Sequence, residues 1–209
     1  MRRSKKRGGW PITRSLNKSE VKNLNEYFKY VSQQGRQLFI SIHYRRSEQM
    51  SDFDRKRGIV RKIGNLSTLL KKAGETPNYV CLWEKPVDRN LHGHICLTLP
   101  KSKWPIIQNW VIRNEGVWEN EKRDYKKRFN SEIHCCPFDH RYHRTYLIKS
   151  RRPCGPPEID RQYGRREKQD PIRGRRVSYS KHAKDILAEI HAAQSSNCST
   201  IETTSKSET

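Results

Sequence analysis

Apolar residues recur along this chain with two periods, and the changes between them mark the predicted elements. Over residues 17–34, Val21, Leu24, Phe28 and Val31 fall at helical spacing, behind Asn17 or Ser19 as a cap and ahead of Gly35. Over 37–44 the pattern alternates, with Leu38, Ile40, Ile42 and Tyr44 on one side and Phe39, Ser41 and His43 on the other, which predicts a strand. Residues 52–73 return to helical spacing through Ile59, Ile63, Leu66, Leu69 and Leu70, with Gly58 and Gly64 as weak points. Two short apolar runs, 79–84 and 91–97, flank a polar turn at 85–90 and predict an antiparallel hairpin. A short helix is expected over 105–114, with Pro105 in its first turn. Strands are expected over 116–120 and 131–136, on either side of a basic stretch. Residues 139–149 contain no Gly or Pro and follow Pro137, so Asp139 is the expected cap of another helix. A last helix is expected over 180–193, capped by Ser180.

Strand, helix, hairpin, helix, strand is the order of an α+β, ferredoxin-like fold: a central antiparallel sheet with helices packed on it. The hydrophobic fraction is only 33%, so the core is not expected to use the whole length. Residues 1–16 read as a basic flexible tail, 17–194 as one domain with a basic extension at about 151–194, and 195–209 as a disordered Ser/Thr-rich tail. No run approaches the roughly 20 apolar residues of a membrane span. No apolar stretch follows the basic start, so no signal peptide is expected, and a cytoplasmic location without membrane partners is the expectation.

Charge narrows the partner. Lys and Arg number 44 against 22 Asp and Glu, giving a formal net charge of +22. Such a field attracts polyanions, and the arginine-rich clusters suit phosphate. Trp104, Trp110, Trp118, Tyr125, Phe129 and Tyr163 are interleaved with the charges. Single-stranded nucleic acid is bound by such mixtures, although Trp104 and Trp110 read as core residues. Cys81 and Cys96 fall in expected strands as small buried residues. His134, Cys135, Cys136, His140, His143 and Cys154 form a candidate zinc cluster, without the Cys-x2-Cys pair such sites usually have.

The sharpest chemistry lies in two short segments. In the strand at 91–97, His92 and His94 share one face across Gly93. The hairpin brings Glu84 beside them. Two imidazoles and a carboxylate make a divalent-metal site with open positions. In the expected helix at 139–149, Tyr142 and Tyr146 lie one turn apart, with Lys149 a turn beyond Tyr146. A phenol attacking phosphorus needs its charge stabilised, and a metal and an ammonium can supply that.

Together these segments resemble the HUH endonucleases, in particular rolling-circle replication initiators of the plasmid and phage type. The apolar strand 39–44 resembles that family's first motif. His92 and His94 match its histidine pair, Glu84 its metal carboxylate, and Tyr146 with Lys149 its tyrosine motif. Tyr142 matches the second tyrosine of some members. The chain departs from the pattern at Gly93, where a bulky apolar residue is usual, and at Thr145, where two-tyrosine members often have lysine. The basic segment with Arg173, Arg175 and Arg176 around Gly174 is similar to a downstream DNA-binding patch. The resemblance implies Mg2+ or Mn2+ at Glu84, His92 and His94. It implies single-stranded origin DNA as substrate and a 5′-phosphotyrosine intermediate on Tyr146. It also implies a bacterial host's DNA polymerase and a separate helicase as partners, since no P-loop is present. A mobilisation relaxase, a single-strand transposase and a non-catalytic basic nucleic-acid-binding protein are the alternatives.

Overall fold

The computed structural model describes residues 12–13, 15–34, 37–44, 49–87, 90–119, 132–139, 143–144, 147–148, 171–173 and 175–204. In chain order the elements are β1 (Ile12–Thr13), α1 (Lys18–Gln34), β2 (Gln37–His43), α2 (Asp52–Lys72), β3 (Asn78–Glu84) and β4 (His92–Thr98). A 3-10 turn (Lys101–Lys103) leads into α3 (Trp104–Arg113). Then come β5 (Val117–Trp118), β6 (Ile133–Pro137), β7 (Ile172–Arg173), β8 (Val177–Tyr179) and α4 (Lys181–Thr204).

Local chemistry explains the helix starts. At α1, Asn17 and Glu20 form a reciprocal capping box: the Glu20 N–H donates to Asn17 Oδ1 and the Asn17 N–H to Glu20 Oε2, both at 2.8 Å. Ser51 accepts from the Asp54 N–H ahead of α2. Asp52 and Asp54 in the first turn of α2 and Lys71 and Lys72 in the last oppose its dipole. The helix ends where Gly74 takes φ +78°, and the N–H groups of Gly74 and Glu75 close onto Lys71 O and Leu70 O. Ser180 caps α4 through the Ala183 N–H.

The main sheet has six strands in the order β5-β6-β2-β4-β3-β8, and β1 pairs separately with β7. Side-chain alternation sorts each strand between two apolar layers. One face carries Leu38, Ile40, Ile42, Cys81, Trp83, Ile95, Leu97, Ile133 and Cys135, covered by Ile59, Ile63, Leu66 and Leu70 of α2 and by Trp104, Ile107, Trp110 and Val111 of α3. The other face carries Phe39, Val80, Leu82 and Cys96, covered by α1, by Ala183, Ile186 and Leu187 of α4, and by Leu147 and Ile148. No described helix is long and apolar enough to cross a membrane.

Three expectations are corrected. The sheet is mixed rather than purely antiparallel, because β5 runs parallel to β6. A parallel neighbour requires the chain to cross back, and that connection falls in 120–131, outside the described residues. The last helix continues to Thr204 instead of stopping at Ala193. Nothing after Ser180 breaks a helix, and the Ser195 and Ser196 hydroxyls bond back to the His191 and Ala192 carbonyls. The amino-terminal tail is partly built into the fold: Thr13 pairs with Ile172, and Leu16 is buried against α1.

Candidate metal centre

The odd residues of β4 enter the α2/α3 core, so the even residues, His92, His94 and Cys96, share the opposite face. The β3–β4 register places Glu84 directly across from His92 and Leu82 across from His94. On the other side of β4, His43 of β2 lies across from His92 and Ser41 across from His94. Continuing along the sheet, His134 of β6 lies across from Ser41. Two adjacent rows of polar side chains therefore cross a face that is otherwise apolar.

Glu84, His92 and His94 are 0%, 5% and 2% exposed. One ligand atom from each lies within 4.8 Å of the other two. Glu84 Oε2 is 3.2 Å from His94 Nε2 and 3.5 Å from His92 Nε2. Both imidazoles thus present the same ring nitrogen to one carboxylate oxygen.

The tautomer of His92 follows from its other nitrogen. His92 Nδ1 is 3.1 Å from the Asn90 carbonyl oxygen. A carbonyl only accepts, so Nδ1 carries a hydrogen. In neutral His92 the Nε2 lone pair then faces a carboxylate, which is acceptor against acceptor. A proton on Nε2 resolves that repulsion, and so does a cation between the two groups. The donor set fits a divalent ion: two imidazole nitrogens and one carboxylate. Complete burial pushes the Cys96 thiol well above its ordinary pKa, so the next residue on this face is not a thiolate competitor.

The rings are held from β2. Phe39 stacks on His94, with centroids 5.1 Å apart and planes at 19°. His43 stacks on His92 at 4.5 Å. Ser41 Oγ is 2.9 Å from His94 Nδ1. Further along, His134 Nε2 lies 2.9 Å from Glu119 Oε2, and both side chains are buried.

Tyr142, Tyr146 and Lys149 lie outside the described residues. Their neighbours Leu147 and Ile148 are fully buried in the apolar layer on the histidine-bearing face. Also on that face, His143 stacks on Phe39 at 4.3 Å. The candidate zinc cluster does not assemble among the described residues. Cys135 and Cys136 are consecutive on a strand and enter opposite layers, while His134 pairs with Glu119. His143 Nδ1 accepts from the Asp139 N–H at 2.7 Å, and its Nε2 lies 3.8 Å from Cys136 Sγ. His140 and Cys154 lie outside the described residues.

The basic patch divides. Arg175 is exposed, and Arg173 lies on β7. Arg176 is 1% exposed and donates to the backbone carbonyls of Trp83 at 3.1 Å and Thr13 at 3.4 Å. It is a structural arginine that anchors β3 beside Glu84, and its guanidinium is not a surface phosphate fork. Trp104 and Trp110 are core residues as expected. Trp118 is half-buried against Trp104, and Tyr125, Phe129 and Tyr163 lie outside the described residues.

The contacts of Ser41, Asn90 and Phe39 with the two histidines, and the Glu119–His134 pair further along, were not anticipated from the sequence. One signal was legible: Ser41 is a polar residue inside an apolar strand run, and a buried hydroxyl needs a partner. Asn90 acts through its backbone, which no side-chain pattern reveals. Protein-family models, curated proteins and solved structures were all compared with this chain, and none of the three returned a match.

Proposed function

We propose that this protein is a metal-dependent single-stranded DNA nicking and joining enzyme of the HUH type, acting at a replication origin with Tyr146 as nucleophile. The observation that carries the reading is the buried Glu84/His92/His94 set, with both Nε2 atoms converging on one carboxylate oxygen. Strand order supports a ferredoxin-like framework. The run β6-β2-β4-β3, with α2 and α3 on one face, is the arrangement a β-α-β-β-α-β unit adopts. The +22 charge supports a polyanionic substrate.

Glu84, His92 and His94 would hold Mg2+ or Mn2+, which supplies Lewis acidity toward a phosphodiester. The Tyr146 oxygen attacks phosphorus as its proton leaves. The bond to the 3′ oxygen breaks, giving a 3′-hydroxyl and a 5′-phosphotyrosine. Lys149, three residues on in the sequence, would offset the phenolate charge. The preserved phosphoester allows the same tyrosine to rejoin ends. In this reading the 3′-hydroxyl primes a host polymerase and strand separation is left to another protein.

The test is incubation with a labelled single-stranded oligonucleotide library and Mn2+, followed by peptide mapping of any covalent adduct. Tyr146→Phe should bind DNA and form no adduct. His92→Ala and His94→Ala should not nick but should keep salt-sensitive binding. An adduct at full yield in Tyr146→Phe overturns the nucleophile, and an adduct on Tyr142 reverses the two tyrosines. Wild-type nicking by both histidine variants overturns the metal reading.

A further inference from the structure

The two histidines differ in what their second nitrogens touch, and the difference has a consequence. His92 Nδ1 faces the Asn90 carbonyl, which can only accept. His94 Nδ1 faces the Ser41 hydroxyl at 2.9 Å, which can donate or accept. His94 Nε2 meanwhile lies within hydrogen-bond reach of Glu84 Oε2, at 3.2 Å. With the proton on Nε2, His94 donates to the Glu84 carboxylate and Nδ1 accepts from Ser41. With the proton on Nδ1, His94 donates to Ser41 Oγ and its Nε2 lone pair is open to a metal. Both arrangements keep the Ser41–His94 hydrogen bond, with its direction reversed. Ser41 is buried, so bulk water cannot take its place.

We propose that the Ser41 hydroxyl is a reversible partner that lets His94 exchange tautomers as the site loads with a divalent cation, while the Asn90 carbonyl holds His92 in one tautomer throughout. The proton balance is closed: His94 keeps a single proton, which moves from Nε2 to Nδ1, and the hydroxyl turns from donor to acceptor. Phe39, stacked on the His94 ring, keeps the ring plane fixed while the proton relocates. A carbonyl at Ser41's position would bar the Nε2–H form, and a backbone N–H would bar the metal-binding form. A hydroxyl is the small group that permits both. Ser41 is thus a positioning residue that acts on the metal through His94. This inference rests on the metal reading above.

The test uses the full chain and imidazole 15N spectra, which tell the two tautomers apart. Without metal, His92 should be the Nδ1–H tautomer and His94 the Nε2–H tautomer. Adding Zn2+ as a diamagnetic probe should convert His94 to Nδ1–H and leave His92 unchanged. Ser41→Ala should weaken Mn2+ binding, measured by titration, about 10- to 100-fold, as loss of such outer partners typically does. Ser41→Thr keeps the hydroxyl and should restore most of that loss. Identical tautomers for the two histidines without metal would overturn the proposal, as would unchanged Mn2+ affinity in Ser41→Ala. Failure of the unaltered protein to bind Mn2+ would instead overturn the metal reading itself.

Discussion

Arg176 is a buried structural arginine, and its replacement has a calculable cost. Its guanidinium donates to Trp83 O at 3.1 Å and to Thr13 O at 3.4 Å, and the side chain is buried. Arg176→Met keeps much of the volume and removes both bonds. Hydrogen bonds from a charged donor contribute about 1.5–3 kcal/mol each, and the 3.4 Å bond belongs at or below the lower end. Against that, a buried guanidinium carries a desolvation cost that methionine does not. The expected net loss is about 2–4 kcal/mol. With a urea slope of about 2–3 kcal/mol/M, the unfolding midpoint should fall by about 1 M. Tryptophan fluorescence reports it, because Trp83 is the residue whose carbonyl is released. Arg175→Ala is the paired control. Arg175 is exposed, so its loss should leave stability within about 0.5 kcal/mol. If Arg176→Met kept its midpoint and lost DNA affinity, the guanidinium would be a ligand contact and the packing argument would be wrong.

Three further outcomes are expected. Single-stranded DNA affinity should fall steeply with salt, and Arg175→Ala should reduce the log–log slope by about one if Arg175 meets a phosphate; a flat salt response would remove the electrostatic argument. Burial pushes the Cys81 thiol up to about 12, and it raises Cys96 and Cys135 well above the ordinary thiol value too. The folded state therefore holds protons that unfolded thiols release above about pH 8.5–9, so stability is intact below that and falls as pH rises toward the folded values. Urea midpoints in reducing buffer should drop between pH 8 and 10 by the equivalent of about 1.5 kcal/mol per thiol, and a flat profile would refute their burial. At Gly93 an added Cβ would meet Ile59 Cγ2 at 3.2 Å and Trp83 Cζ3 at 3.5 Å, so Gly93→Ala should be near neutral while Gly93→Ile should cost about 1–3 kcal/mol by overpacking. Equal stability of the two variants would show that α2 does not constrain this position.

Much of the framework was legible because its signals are local. The Asn17 cap, one of two candidates at that helix start, the Ser180 cap and the clean alternation of 37–44 each lie within a few residues. The hairpin register was legible too, since a short polar turn between two apolar runs brings Glu84 level with His92. What was not legible depends on long-range register. Arg173, Arg175 and Arg176 read as one cluster, but Arg176 turns inward at the mouth of β8 to reach two carbonyls remote in sequence. Cys135 and Cys136 both stood in the candidate zinc cluster, yet adjacency on a strand is what separates them onto opposite faces. The extension of α4 was hidden by composition, because serine-rich sequence reads as disorder until its hydroxyls are seen bonding to the preceding turn.

The site and the fold are specified by the same register, which makes the candidate centre hard to lose by drift. Ile95 and Leu97 are inward on the α2/α3 side only if His92, His94 and Cys96 are outward. A slip of one residue in β4 would bury two imidazoles in the α2/α3 core and move Ile95 and Leu97 onto the polar rows. That core enforces the alternative against slipping, because it is packed by four apolar residues of α2 and four of α3. Gly93 marks one close approach of this core to the strand. It lies opposite Trp83 and under Ile59, at the point where α2 approaches the strand that carries both histidines. Burial of one face thus holds the ligands of the other in register, and the polar residues of β2 then fix the ring of each histidine.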